Sequence, residues 1–255
     1  MRGVFDFWEK EKEVFSEKSD GRRITITQRG NVRTLRCDGI IFSRIDGSSL
    51  YTHEYWDFFM PLAYLYDRPE ILMIGLGGGT IAYQLSRLLG ERFSLDIIES
   101  DRLMAEIYPR FLGASVNCRI TIGDGAEYVS ANRAKYDILI LDAYDSRGRI
   151  PSHFLEKAFV ADAFECIKPK GIFAINCIGS MLGPDLDSFL QNLSEKFQVY
   201  RIDTSGYTAN VVLVCTRETT KDELLEALHS RMKIDRGNEF LMRAYDLSKR
   251  LFLTT

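Results

Sequence analysis

The chain has 255 residues, of which 45% are hydrophobic and 27% charged, with a formal net charge of −3, enough for one large globular domain or one domain with a small extension. The weak negative charge argues against a nucleic-acid partner and against an anionic membrane, and without an apolar run near ~18 residues we expect no membrane-spanning helix. Five isolated cysteines, only three histidines and a charged N-terminal stretch indicate a cytoplasmic protein with reduced thiols and no metal site.

The first part of the chain is predicted to form a small β unit that follows a short helix or arm over residues 1–20. After the arm, apolar residues recur at every second position, as in half-buried strands. A Gly-Asn pair at 30–31 and an Asp-Gly pair at 38–39 are typical of tight turns. The sequence therefore predicts an antiparallel β unit over residues 22–46.

An aromatic-rich segment comes next and is predicted to be a helix over residues 51–65, capped by one of two preceding serines. Packing of this helix against a sheet accounts for most of its aromatic side chains. Tyr51, His53 and Glu54 stand together at the predicted helix start, where side chains can face a cleft. A histidine in such a position is more often a packing or surface residue, and its two neighbours favour a cleft position here.

The stretch that organises the rest of the chain covers residues 71–101. A buried strand at 71–74 enters a glycine-rich turn, and an amphipathic helix over 81–89 leads to a second buried strand over 95–98. Glycines in such a turn allow the backbone to approach a ligand closely. Glu99 ends the second strand, about 20 residues beyond the glycines, a spacing at which an acid accepts ribose hydroxyls. The stretch therefore predicts a nucleoside-binding half-site.

From there on, strands and helices alternate. Further strands are predicted over residues 120–122, 138–141 and 172–177, with a turn at 168–171 and helices over 101–112, 126–133, 151–167 and 184–197. The last elements are predicted to be an antiparallel strand pair over 198–202 and 209–215 and helices over 221–232 and 238–253. Such alternation predicts an α/β fold with a mostly parallel sheet and helices on both of its faces. The corresponding domains are an arm with a β-strand domain over residues 1–47 and a nucleoside-binding α/β domain over 48–255.

Acidic residues recur at the ends of the predicted parallel strands. Parallel sheets bind ligands at the carboxyl ends of their strands, where we expect Glu99, Asp124, Asp142 and Asp145. A single acid after a strand is usually a helix cap. Several acids along one sheet edge favour a binding site instead, because neighbouring carboxylates repel unless they bind a cation.

These residues resemble the spermidine synthase family, the aminopropyltransferases of the class I methyltransferase-like, Rossmann-like fold. The resemblance extends over about residues 22–215. Its motifs are L-R-C-D-G at 35–39, Tyr51 with His53-Glu54, I-G-L-G-G-G at 74–79, I-I-E-S-D at 97–101, G-D-G-A-E at 123–127 and Y-D-I-L-I-L-D-A-Y-D at 136–145. The last two motifs are the most specific.

The resemblance implies decarboxylated S-adenosylmethionine as the donor, a small amine such as putrescine as the acceptor, and a homodimer or homotetramer. For the donor it implies that Glu99 binds the ribose hydroxyls and Asp124 the adenine amino group, beside further binding residues: Gly75, Gly77, Gly79, Thr80, Gly125 and Ala126. For the acceptor it implies that Asp142 orients and deprotonates the amine, that Asp145 binds an amine and that Tyr51 lies next to it. His53, Glu54 and Tyr144 complete the expected substrate-binding set.

The chain departs from the family at one position of the glycine turn. The family usually has G-G-G-D-G, and its aspartate helps to bind the propylammonium of the donor; here Thr80 takes that position. An uncharged residue does not repel the carboxylate of ordinary S-adenosylmethionine. Three hypotheses follow: an aminopropyltransferase, an S-adenosylmethionine-dependent methyltransferase on the same scaffold, and a non-catalytic nucleoside-binding homologue.

Overall fold

The computed structural model of the chain describes residues 10–19, 21–113, 116–145, 148–178, 184–202, 204, 208–234 and 251–253. Two sheets and seven α-helices make up this part of the chain. Among these residues, no helix combines the length and the apolar character that a bilayer crossing requires.

The N-terminal sheet is antiparallel and has four strands in chain order: β1 (Lys12–Ser19), β2 (Arg22–Arg29), β3 (Val32–Cys37) and β4 (Ile40–Asp46). The β unit predicted over residues 22–46 is confirmed. The prediction of a helix or arm is wrong for residues 12–19, which form β1 and pair with β2 in antiparallel register, with a register shift between Glu13 and Phe15. Residues 1–9 lie outside the described part of the chain.

The aromatic-rich segment is not the single helix predicted over residues 51–65. It forms a 3-10 helix, Tyr55–Phe58, and the short helix α1, Met60–Tyr64. The buried carboxylate of Asp57 accepts hydrogen bonds from the backbone N–H groups of Thr52 and His53, at 2.9 and 2.8 Å. These bonds hold the start of the segment in an irregular turn in which His53 has a positive φ of 62°.

The main sheet contains eight strands: β5 (Glu70–Ile74), β6 (Ser94–Glu99), β7 (Arg119–Ile122), β8 (Tyr136–Leu141), β9 (Ile167–Ile178), β10 (Gln198–Ile202), β11 (Asn210–Thr216) and β12 (Leu251–Leu253). Their order is β12-β10-β11-β9-β8-β5-β6-β7. The neighbours from β9 to β7 are parallel, and the pairs made by β10, β11 and β12 are antiparallel. The predicted mostly parallel sheet and its closing antiparallel pair are therefore confirmed.

Successive residues of β5 face opposite sides of the sheet. Ile71 and Met73 belong to one hydrophobic core, which continues to the N-terminal sheet, and Leu72 and Ile74 belong to the other. Because a strand buried on both faces needs apolar residues at every position, β5 appears in the sequence as an uninterrupted apolar run. Since the first core joins the two sheets, the domain boundary near residue 47 stays a prediction.

Six further helices cover the main sheet: α2 (Thr80–Leu89), α3 (Arg102–Leu112), α4 (Gly125–Ser130), α5 (Lys157–Cys166), α6 (Pro184–Ser194) and α7 (Lys221–Ile234). Residues of α2, α3 and α7 enter the first core and residues of α4, α5 and α6 the second. Helices therefore pack on both faces of the sheet, as predicted.

Three predicted elements in the second half of the chain need correction. The helix predicted over residues 151–167 begins as a 3-10 helix, Ser152–Leu155, before α5. The turn predicted at 168–171 lies within β9, where the pairing with β8 changes register. Of the helix predicted over 238–253, the last three residues form β12 against the edge of β10, and residues 235–250 lie outside the described part of the chain.

Candidate active site

A cavity of about 450 Å³ lies at the carboxyl ends of the parallel strands and is closed on one side by β4. The glycine turn, the strand ends and the loop after β8 form its walls. Nine of the residues predicted from the sequence line it: Gly75, Gly77, Thr80, Glu99, Asp124, Gly125, Asp142, Tyr144 and Asp145.

Gly75 joins the two halves of this cavity. Its φ is +91°, and a Cβ atom at this position would lie 2.3 Å from the backbone oxygen of Asp142. The backbone around it is fixed as well, because Gly75 donates to the oxygen of Ile98 at 2.9 Å and Asp142 donates to the oxygen of Ile74 at 2.9 Å. Only glycine combines this φ with so close an approach of two strand ends.

The rest of the glycine turn packs against the N-terminal sheet. The N–H of Gly78 donates to the hydroxyl of Ser43 at 2.6 Å. A Cβ atom on Gly78 would lie 2.7 Å from the Cβ of Ser43, and one on Gly79 would lie 2.9 Å from the ring of Tyr108. Gly78 and Gly79 therefore serve close packing of protein against protein. Gly79, predicted to bind the donor, does not line the cavity.

Thr80 is buried, and its hydroxyl is fully engaged by the backbone of β4. It accepts from the N–H of Arg44 and donates to the oxygen of the same residue, both at 3.1 Å. The hydroxyl thus fastens the start of α2 to the N-terminal sheet. Since its proton is used there, the Thr80 hydroxyl does not donate into the cavity, and the residue adds no charge to it.

Glu99 holds the backbone of the turn that surrounds it. Its two carboxylate oxygens accept from the N–H groups of Leu76 and Asp101, each at 2.7 Å. Burial raises the pKa of Glu99 above its ordinary value, and these N–H groups act in the opposite direction. A carboxylate has about four acceptor positions, so the side chain retains capacity for ribose hydroxyls.

Next to Glu99, an ion pair that was not expected from the sequence reaches the cavity. Arg22, on β2, contacts the carboxylate of Asp101 at 2.5 Å, and Asp101 also caps α3 by accepting from the N–H of Leu103. The pair ties the N-terminal sheet to the edge of the nucleoside half-site.

Asp124 is a helix cap that also lines the cavity. One of its oxygens accepts from the N–H groups of Ala126 and Glu127, at 2.7 and 3.1 Å, at the start of α4. The other oxygen lies 3.3 Å from Nε2 of His153. Ala126 itself does not line the cavity.

Asp142 lies at the end of β8 and is held by two donors. The side-chain amide of Asn176 donates to Oδ1 at 2.7 Å, and the hydroxyl of Tyr55 lies 3.2 Å from both carboxylate oxygens. Burial raises the pKa of Asp142 to about 6, although both donors act to lower it. The group is therefore ionised at pH 7 and yet basic enough to accept a proton from a bound cation.

The neighbours of Asp142 in the same loop already have protein partners. Tyr144 donates its hydroxyl to the backbone oxygen of Asn176 at 2.6 Å. Asp145 accepts from the backbone N–H of Arg149 at 3.0 Å and from its guanidinium at 3.2 Å. A second ammonium at Asp145 would have to compete with Arg149.

Three residues predicted to bind the acceptor do not reach this cavity. Tyr51 and His53 line a separate cavity of about 550 Å³ beside the N-terminal sheet. Glu54 forms an ion pair with Arg44 at 2.9 Å. The irregular turn around Asp57 turns them away from Asp142, and the tyrosine that contacts Asp142 is Tyr55, four positions further on.

Tyr55 and Asn176 were not predicted from the sequence as site residues, for different reasons. Tyr55 stands among several aromatic residues, and only the fold distinguishes it. Asn176 did have a recognisable feature, because it is a lone amide within the otherwise apolar second half of β9, residues 172–178. Among the described residues, no group of three or more His, Cys, Asp or Glu side chains has the arrangement of a metal site.

Comparison with known proteins places this geometry in a family. Residues 58–209 match the spermine/spermidine synthase domain. The polyamine aminopropyltransferase of Vibrio vulnificus is 29% identical over 181 residues, which cover 64% of this chain and 58% of that protein. Putrescine N-methyltransferase 2 of Nicotiana attenuata is 28% identical over 170 residues, which cover 64% of this chain and 45% of that protein.

The chain thus spans about half the length of these two relatives. A probable spermidine synthase from Corynebacterium glutamicum shares the fold, with a TM-score of 0.68 at 15% identity over 88% of this chain and 94% of that one. Because the family match covers more than half of the residues, the chain belongs to the spermine/spermidine synthase domain family.

Proposed function

We propose that this protein transfers the aminopropyl group of decarboxylated S-adenosylmethionine to the nitrogen of a small amine such as putrescine. The observation that carries the proposal is the position of Asp142: its carboxylate is held by two donors, Asn176 and Tyr55, beside the predicted nucleoside half-site. Burial raises its pKa to about 6, which suits a group that takes a proton. An amine that is protonated at pH 7 must lose a proton before it can attack, and Asp142 is suited both to bind the ammonium and to take that proton.

The charges of the cavity support a cationic donor and a cationic acceptor. Six carboxylates line it, against one arginine and one histidine: Asp38, Glu99, Asp101, Asp124, Asp142 and Asp145, against Arg22 and His153. The decarboxylated donor has a sulfonium and an ammonium, whereas ordinary S-adenosylmethionine has an additional carboxylate. An excess of acids therefore favours the decarboxylated form.

In the proposed reaction, the proton of the ammonium passes to Asp142 and the free nitrogen attacks the carbon next to the sulfonium. A carbon–nitrogen bond forms, the carbon–sulfur bond breaks, and its electron pair neutralises the sulfur as a thioether. Tyr55 and Asn176 orient the carboxylate, Glu99 would hold the ribose and Asp124 the adenine amino group. Alignment of the two reactants supplies much of the acceleration.

One observation favours a second candidate, the transfer of a methyl group from S-adenosylmethionine to an amine. Thr80 adds no acid where the family usually binds the propylammonium, and its hydroxyl is bound to β4. The chemistry at Asp142 would be the same, because an amine nitrogen attacks a carbon next to a sulfonium in both reactions. A methyltransferase among the relatives is consistent with this candidate.

Calorimetric titration separates the candidates. We expect decarboxylated S-adenosylmethionine to bind at least about tenfold more tightly than S-adenosylmethionine, a difference of one charged hydrogen bond or ion pair, and methylthioadenosine to bind as well. The reverse preference would overturn aminopropyl transfer in favour of methyl transfer. If none of the three binds, the nucleoside site is wrong. Glu99→Gln serves as the control, since it should weaken all three ligands alike.

A further inference from the structure

A line of side-chain amides connects Asp142 to the loop before β11. Asn176, which is 1% exposed on β9, donates from Nδ2 to Asp142 at 2.7 Å. Its Oδ1 accepts from Nδ2 of Asn210 at 2.8 Å. Oδ1 of Asn210 in turn accepts from the hydroxyl of Thr208 at 2.8 Å. Every donor in this line therefore faces towards the carboxylate.

The direction of the line has a physical consequence. A side-chain amide has a donor end and an acceptor end of nearly equal shape. If the amide of Asn176 were reversed, its oxygen would face Asp142, and two acceptors would meet without a proton between them. The NH2 group of Asn210 prevents this, because it requires an oxygen on Asn176. Thr208 supports the observed orientation of Asn210, because its hydroxyl donates to Oδ1 of Asn210 at 2.8 Å while its oxygen accepts from the Asn210 backbone N–H at 3.3 Å.

We infer that Asn210 is a positioning residue of the active site, which acts through Asn176 to keep a hydrogen-bond donor on Asp142. Thr208 supports Asn210 in the same role. The inference rests on the proposed function only where it concerns turnover, because the ionisation of Asp142 does not require a substrate. Asn210 itself lines the cavity beside Asp142 and Asn176.

Glu99, Asp124, Asp145 and His153 line the same cavity as Asp142, so a titration is assigned to Asp142 by comparison with the Asp142→Asn variant. Three further groups close to Asp142 carry no charge where it ionises. Tyr55 faces it from the 3-10 helix, Tyr144 lies in its own loop, and Cys177 follows Asn176 on β9. Burial raises the pKa of all three, to about 12 for Cys177, so they are neutral in the range from about pH 5 to pH 9. Since the donor from Asn176 lowers the pKa of Asp142, its loss must raise that pKa.

The test compares Asn210→Leu with Thr204→Val. The first removes the donor to Asn176, and the second removes a hydroxyl whose partner among the described residues is the backbone oxygen of Asn210. In Asn210→Leu we expect the acid limb of the pH–kcat profile to move up by about 1 pH unit, with activity largely recovered at high pH. Thr208→Val should move it less, in the same direction, and Thr204→Val should not move it. An equal loss of kcat at every pH in Asn210→Leu would overturn the inference.

A second readout needs no turnover. The difference in unfolding free energy between the protein and its Asp142→Asn variant, followed against pH, reports the titration of Asp142. In the Asn210→Leu background its midpoint should rise by about 1 pH unit. An unchanged midpoint contradicts the positioning role. If no amine is converted at any pH while the midpoint still rises, the proposed function fails and the inference stands.

Discussion

The half of the cavity that is proposed to bind the donor is formed by short stretches of backbone and by acids at neighbouring strand ends. Glu99 and Asp124 both accept from backbone N–H groups of their own or the adjoining loop. In the acceptor half, Asp142 depends on side chains from distant parts of the chain. Tyr55 is 87 positions away from it and Asn176 is 34 positions away.

The two halves therefore differ in how the chain forms them. Contacts within local turns form one half, and side chains that are far apart in the sequence form the other. The donor half is tied to the turns that connect strands and helices, so its geometry follows from the fold. The half proposed to bind the acceptor consists of side chains from separate segments: Tyr55, Asp142 and Asn176. We therefore expect variants of the two halves to affect different kinetic constants.

The largest expected effect belongs to Asp142→Asn. Without the carboxylate the amine keeps its proton, and kcat should fall by about 10³-fold. Donor affinity, measured by calorimetry, should stay within about twofold, because the donor half is unchanged. A variant that retains most of its turnover would show that Asp142 is not the base, and one that loses donor binding would show that the two halves are not separate.

The Asp142→Asn variant also tests how strongly burial destabilises the charged carboxylate of Asp142. The pKa of Asp142 is raised from its ordinary value to about 6, so the stabilising contribution of its protonated form is complete below pH ~4 and is lost as the pH rises through 6. At pH 8 Asp142→Asn should therefore be more stable than the parent by about 3 kcal/mol. Urea unfolding at pH 4 and pH 8 would reveal the trend, and an equal difference at both pH values would contradict it.

The next effect concerns Gly75, the contact between the halves. Gly75→Ala should destabilise the protein by about 3 kcal/mol, because the new Cβ adds a backbone clash to the strain of a positive φ. Gly90→Ala is the matched control: its φ is also positive but nothing lies within 4 Å, so it should cost about 1 kcal/mol. Equal costs in urea unfolding would mean that the approach to Asp142 is not tight.

A smaller effect is expected for Tyr55→Phe. Loss of this hydroxyl removes one donor to Asp142 and should reduce kcat by about tenfold at pH 7. It should also move the acid limb of the pH profile upwards, since the Tyr55 bond lowers the pKa of Asp142. Tyr51→Phe should leave both quantities unchanged. The opposite result for the pair would restore Tyr51 as the tyrosine of the acceptor site.

The smallest effect is expected for Arg149→Gln. Removal of the guanidinium takes away one cation that competes with the distal ammonium of a diamine for the carboxylate of Asp145, and it should lower the KM for putrescine by about threefold, the scale of an exposed ion pair. The KM for a monoamine should not change. If both KM values move together, Asp145 does not contact the acceptor.

Much of the fold could be predicted because its signals are local. The apolar run of β5, the glycines of the turn and the acid at the end of β6 lie within one short stretch, and each has a direct physical meaning. The strand β1 was missed because its side chains are mostly exposed, so the period of two is weak there. The prediction of a helix over 51–65 was wrong because the Asp57 carboxylate accepts hydrogen bonds from two backbone N–H groups, a contact that helix propensities do not predict.

The candidate site divides in the same way. Glu99, Asp124 and Asp142 could be located from the ends of predicted strands. Tyr55 could not be chosen over Tyr51, because the choice depends on how an irregular turn is folded. Asn210 was also missed, since its place beside Asn176 follows from the antiparallel register of β9 and β11.

The central claim is most directly tested by mass spectrometry of the products after incubation with decarboxylated S-adenosylmethionine and putrescine. The account predicts equal amounts of methylthioadenosine and of an amine enlarged by one aminopropyl group, and formation of both products about 10³-fold more slowly with Asp142→Asn. A methylated amine formed only from S-adenosylmethionine, or no product from either donor at saturating concentration, would contradict it.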